Sequence, residues 1–250
     1  MTAANGFAPV ARPAGAFAGI IGAVEQAAAR TGVDFSYLLA NARAESGLDP
    51  HARARTSTAS GLFQFTEATW LGVVARHGEK HGLGWAADAL KSGASRAVKD
   101  SILSLRHNAE TAAAMAGEFT RDNAARLEKS LGRAAGAADL YLAAFFGAGG
   151  AIKFLGAMAA DPGAAAANLL PAAAQANHST FYHKDGSARS LAAVHDLVAG
   201  RIGRHMGTSP SALVRAGAAV PPAGRMLPAA DPALAAARAR MAYLVLAAMQ

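Results

Sequence analysis

Between residues 17 and 203 the chain is a succession of alanine-rich segments in which apolar residues recur every three or four positions, separated by polar or glycine-containing turns. That spacing gathers the apolar side chains on one face of an α-helix, whereas a half-buried strand would need strict alternation. Ile20, Ile21, Val24, Ala27 and Ala28 form one such stripe, and Leu38, Ala42 and Glu45 share a face of the next. Alanine loses no side-chain freedom in a helix, and aromatic residues make up only 6% of the chain, so a mainly α fold is expected. At 250 residues the chain is long enough for one well-buried domain with an appendage, or for two small domains.

Local signals divide this pattern into elements. Helices are expected over 17–30 and 35–46, the second with Asp34 as N-cap and Gly47 as its stop. Residues 47–63 carry loop chemistry, and Thr66 caps a helix that ends near His77 and Gly78. Further helices are expected over 95–116, 119–131 and 136–146, then a glycine break at 147–150, a short helix at 151–159 and a last one over 188–203. Residues 177–187 read as a polar, aromatic loop. The organisation expected is a flexible tail over 1–16, one helical domain over 17–205, a Pro/Ala/Gly-rich linker over 206–231 and a C-terminal helix over 232–250.

The formal net charge of +7 comes mainly from arginine and suits acidic partners such as an anionic wall polymer. No dense basic run interleaves with aromatics, so nucleic acid is not expected. The absence of cysteine excludes disulfides, thiolate catalysis, cysteine-ligated metal and a lipoprotein anchor. Residues 13–24 are apolar and follow Arg12, but without a convincing cleavage site they read as the first helix rather than a signal peptide. No transmembrane segment is expected: the nearest apolar stretch, 140–160, contains Lys153 and four glycines. No metal or cofactor is expected either. His77 and His81 are four apart, but Gly78 interrupts the helix a zinc site would need, and both are expected as surface polar residues.

The segment that carries chemistry is Ala44-Glu45-Ser46-Gly47-Leu48-Asp49-Pro50, followed by Thr56 to Ser60 and then Gly61-Leu62-Phe63-Gln64-Phe65. Glu45 falls on a helix face otherwise occupied by Phe35, Leu38 and Ala42, at the helix end that repels negative charge. Such surroundings suit a carboxyl group that donates a proton. Asp49 and Glu67 are the nearest alternatives, but one precedes a proline in a turn and the other sits in a first helical turn that favours an acid anyway.

This segment resembles the signature of the soluble lytic transglycosylases, which have a lysozyme-like fold. Their Glu-Ser followed by Asn/Asp-Pro corresponds to Glu45-Ser46 and Asp49-Pro50, and their Gly-Leu-Met-Gln to Gly61-Leu62-Phe63-Gln64. A tyrosine-centred third motif corresponds to the stretch from Leu140 to Gly147, and Phe181-Tyr182 resembles a subgroup from alphaproteobacteria. The sequence departs from the pattern at Phe63, where methionine is commonest, and at Leu142, where asparagine often follows the tyrosine.

The resemblance implies a lysozyme-like helical domain that cleaves peptidoglycan glycan strands with Glu45 as single acid/base, leaving 1,6-anhydro-muramic acid ends. It implies that Ser46 and Thr56 contact the carboxylate or the sugar, that Gly61 lets backbone approach the sugar, and that Gln64 contacts substrate. Tyr141 would position the glutamate and the substrate acetamido group, while Phe181 and Tyr182 would stack on sugar. The expected location is the periplasm or cell envelope, with a flagellar or secretion-apparatus protein as a candidate partner for the C-terminal region. A muramidase on the same fold and a non-catalytic wall-binding module are the alternatives.

Overall fold

A computed structural model describes residues 14–207, apart from Thr56. The remaining tail, most of the 206–231 linker and the 232–250 helix lie outside the described residues. The described chain is helical: α1 spans Ala14–Thr31, α2 Phe35–Ser46, α3 Glu67–His77, α4 Gly84–Lys91, α5 Arg96–Ser104 and α6 Ala109–Leu131. Beyond these come α7 (Ala137–Ala160), the short α8 (Ala166–Leu169), α9 (Pro171–Ala176) and α10 (His178–Phe181), and α11 (Leu191–Gly203). Strand pairing among the described residues is confined to isolated bridges, two of them inside the loop between α2 and α3.

The helix starts follow from side chains that accept the orphan N–H groups of a first turn. Asp34 accepts from Tyr37 N–H at 2.7 Å, and Thr66 does the same for Thr69 at 3.3 Å. Gly47 ends α2 in the left-handed conformation, φ 62°, with its N–H on the carbonyls of Ala42 and Arg43.

Helix α6 is the axis of the domain, packed by α1 on one side and α7 on another, while α11 packs on α7 and α2. Leu38, Leu62, Trp70, Met115, Leu142, Phe146 and Phe154 are fully buried in one continuous core. Each contributes about 1.5–3 kcal/mol by leaving water. Phe63 and Phe65 belong to the same core, and Trp70 Nε1 donates to the Ile102 carbonyl at 2.8 Å, tying α3 to α5.

Three expectations are corrected. The break between 116 and 119 does not exist, because α6 runs through Gly117; the interruption falls instead at Leu105–His107, a short 3-10 turn, and Asn108 caps the new helix. Gly117 lies close against α1, where an added Cβ would stand 2.5 Å from Thr31 Oγ1. The expected break at 147–150 is a kink: only Gly147 leaves helical geometry (φ 73°, ψ 159°), and the helix resumes. By length and apolar composition alone α7 resembles a membrane span, but Tyr141, Leu142, Phe145, Phe146, Ala151 and Phe154 are buried in the protein core.

His77 and His81 are likewise not surface residues. His81 Nε2 lies 2.9 Å from Glu118 Oε1, and His77 lies 3.4 Å from Glu118 and 2.8 Å from Asp122. Glu118 is 2% exposed on α6 and also meets Arg121, so the histidines face inward to satisfy a buried carboxylate.

Candidate functional site

Glu45 projects from the last turn of α2 and is buried, 6% exposed. The chain then reverses at Gly47 and passes through Leu48 (φ 65°) before entering the long loop to α3. Leu48 and Gln64 (φ 48°) are the two non-glycine residues with positive φ among the described residues, and both lie in the motif segments. Such conformations cost of order 1 kcal/mol each and persist only where surrounding contacts over-determine the backbone. Those contacts are present in number.

Ser46 is the first of them. Its hydroxyl lies 2.8 Å from the Leu62 carbonyl and 3.0 Å from that of Ala42, and it accepts the Asp49 N–H at 3.1 Å. The side chain next to Glu45 therefore ties the end of α2 to the Gly61–Gln64 segment, a backbone role. Gln64 works on the same loop, its amide donating to the carbonyls of Gly61 at 2.8 Å and Ala52 at 3.1 Å. Gly61 donates to Ala52 at 2.8 Å, and the bridges Arg53 with Ser60 and Ser60 with Phe65 fold the loop onto itself.

Gly61 has φ 84°, and an added Cβ would stand 2.2 Å from the Arg106 carbonyl oxygen. A close approach to the protein's own backbone thus demands glycine here. Arg106 and His107, in the 3-10 turn after α5, hold the loop from the other side. Arg106 is 8% exposed, and its guanidinium donates to the carbonyls of Thr58 (2.7 Å), Phe65 (3.0 Å) and Leu103 (3.0 Å). Burial lowers its pKa, with Arg53 adding to the effect and Glu67 opposing it. His107 Nδ1 donates to the Pro50 carbonyl at 3.0 Å, its Nε2 lies 3.3 Å from Ser60 Oγ, and its ring stacks on His51 with centroids 5.7 Å apart. Sequence reasoning missed Arg106 and His107, because nothing local marks a residue whose partners in the loop lie 41 to 57 positions away.

Among the other expected site residues, Tyr141 and Phe181 lie on other elements. Thr56 lies outside the described residues. Tyr141 is 2% exposed in the first half of α7, before the kink. Phe181 has no exposed face: it is fully buried, its ring 5.8 Å from that of Phe146, so stacking on sugar is ruled out for it by packing. Tyr182, next in sequence, is half-buried and stacks on His178 with ring centroids 4.5 Å apart. Asp49 makes a local turn, accepting the His51 N–H at 2.9 Å, and Glu67 sits in the first turn of α3.

Among the described acids of residues 22–88, Glu25, Asp34, Glu79 and Asp88 are exposed and Asp49 and Glu67 half-buried, leaving Glu45 as the buried one. The arrangement is a single enclosed carboxyl group at a helix end, beside a loop fastened by backbone hydrogen bonds. Residues 22–88, from α1 through α2, the fastened loop and α3 into α4, match the family model of the transglycosylase SLT domain. This segment is thus similar to the lysozyme-like lytic transglycosylase domain, a family whose general activity is on peptidoglycan.

Proposed function

We propose that this chain is a peptidoglycan lytic transglycosylase in which Glu45 is the single catalytic acid/base. The observation that carries the reading is that Glu45 is the buried carboxylate of the SLT segment, at the position the signature gives to the acid. The other buried acids of the described residues, Glu118 and Asp139, lie outside that segment and are held in ion pairs.

In this reading the Glu45 carboxyl donates its proton to the oxygen of the β-1,4 bond between N-acetylmuramic acid and N-acetylglucosamine, and the bond from C1 to that oxygen breaks. The C6 hydroxyl of the same muramic acid attacks C1, and its proton returns to the Glu45 carboxylate. A 1,6-anhydro ring forms, the acid is regenerated and no water is consumed. One carboxyl group serves both steps, where most glycosidases use two. Ser46, Gly61, Gln64 and Arg106 act as positioning residues that fix the loop beside the acid. Action on peptidoglycan places the site of work in the cell envelope.

The test is mass spectrometry of muropeptides released from purified peptidoglycan by the native protein and by Glu45→Gln. Anhydro-muramic acid ends produced by the native protein and absent with the variant are the expected result. Reducing ends would make the protein a muramidase, and release by Glu45→Gln at the native rate would remove Glu45 from the mechanism.

A further inference from the structure

A concave site lies between α8, α9, α10 and the turn at Gly186. It is an open groove of about 780 Å³, within the roughly 300–1,000 Å³ range of small-molecule clefts. Its walls are chemically specific. His178 and Tyr182 supply a pair of stacked rings, inclined by 20° with centroids 4.5 Å apart. Asn168 and Gln175, both exposed, supply neutral amides, and Pro171, also exposed, supplies a small apolar surface.

The platform is held in place from behind. Phe181 is buried against Phe146, which anchors the residue preceding Tyr182, and the Tyr182 N–H donates to the His178 carbonyl at 2.8 Å. Asn177, fully buried before His178, donates its amide to the Ala173 carbonyl at 2.9 Å. Both rings therefore meet a ligand with little ordering cost.

None of the described residues lining the groove is Asp, Glu, Lys or Arg. A phosphate or carboxylate ligand would find no guanidinium or ammonium there, and a lipid chain would find too little apolar wall. A pyranose fits each requirement: its C–H face lies on an aromatic ring, and its hydroxyl and acetamido groups exchange hydrogen bonds with neutral amides and a phenol.

We infer that this groove is an accessory binding site for β-1,4-linked N-acetylated glycan, gripping a strand through His178, Tyr182, Asn168 and Gln175. The choice of glycan rests on the reading that the chain works on peptidoglycan; the binding itself is independent of Glu45.

The experiment is an amide NMR titration of the full Glu45→Gln chain with tetra-N-acetylchitotetraose, with cellotetraose as the sugar lacking acetamido groups. Chitotetraose should shift the resonances of residues 168, 175, 178, 182 and 186 saturably, and cellotetraose should bind at least about 10-fold more weakly. Adding Gln175→Ala and His178→Ala, two exposed positions, should weaken those shifts about 10-fold or more while the rest of the spectrum stays native. Shifts confined to residues 45–65 would overturn the accessory site yet leave Glu45's role standing. Equal binding of cellotetraose would overturn N-acetyl recognition. Groove binding, together with a native protein that releases no anhydro products from peptidoglycan, would uphold this site and count against the catalytic reading.

Discussion

Arg106 offers the sharpest test of how the loop beside Glu45 is held. Arg106→Met keeps the length and most of the packing of the buried stem but removes three hydrogen bonds, to the carbonyls of Leu103, Thr58 and Phe65. Hydrogen bonds to a charged donor are worth about 1.5–3 kcal/mol each. The three losses do not add in full. The Phe65 carbonyl also accepts the Ser60 N–H at 3.1 Å, and Thr58 is exposed, so water replaces part of what is lost. Loss of the desolvation cost of a buried guanidinium offsets a further part. The net cost is therefore about 2–4 kcal/mol, a large share of the ~5–15 kcal/mol by which a domain is stable. For a folded unit of this size that lowers the melting temperature by roughly 5–15 °C. Circular dichroism melting reads the stability, and product release at 20 °C, where the variant is folded, reads the site. Turnover should fall about 10-fold or more, because the freed loop is the one Ser46 ties to the end of α2. Arg106→Lys should lie between, since an ammonium cannot reproduce the fork. A melting shift under about 2 °C together with native turnover would refute the assignment of Arg106 as the fastener.

Other perturbations test other parts of the molecule. Glu45→Gln should lower turnover by at least about 100-fold while leaving the melting temperature unchanged or higher, as measured by anhydro-muropeptide release and calorimetry. Gly117→Ala puts a methyl group 2.5 Å from Thr31 Oγ1 and should cost about 1–3 kcal/mol in urea unfolding. Thr31→Ala in the same chain should recover most of that, and strict additivity of the two would show that the crossing is not the cause. For Asp139, burial raises the pKa, but hydrogen bonds from Arg133 and the Gly136 N–H outweigh it and hold the carboxyl below its ordinary value. Its stabilisation is thus complete above about pH 4 and fades as pH falls toward the folded value, so Arg133→Met should destabilise at pH 7 and converge on the native protein in acid. His205 is lowered by burial, then by the positive charges of Arg43 and Arg204. The unfolded chain takes up its proton first, so stability should decline as pH drops below about 6.5, and His205→Gln should shallow that decline in melts taken between pH 8 and pH 5.

The sequence was legible where a signal and its structural effect are neighbours. Asp34, Gly47 and Thr66 cap or stop helices at the expected positions, because capping involves residues three or four apart. Reading failed where a distant partner decides. Gly117 resembles a helix breaker until α1 is seen to need its missing side chain, and His77 looks polar and exposed until Glu118 is placed beneath it. Phe181 sits among polar residues and reads as accessible, yet the core takes the ring and leaves Tyr182 facing the groove. Within the site, the motif residues were visible by resemblance, but several hold the loop rather than reach outward. The fasteners Arg106 and His107 carry no pattern of their own, since their targets are carbonyl groups, which every residue possesses.

The fastening by Arg106 and His107 bears on where the unit of folding ends. The stretch that matches the SLT family stops at residue 88, whereas the Arg106 and His107 side chains that seat its loop, and the Ile102 carbonyl that receives the Trp70 indole, lie beyond it. Cutting the polypeptide at the edge of family similarity would leave the backbone around Gly61 and Gln64 without its far wall, its left-handed residues free to relax. The portion that carries the family likeness and the portion that can stand alone are different lengths of chain. The smallest autonomous piece must extend through α5 and the turn after it into α6.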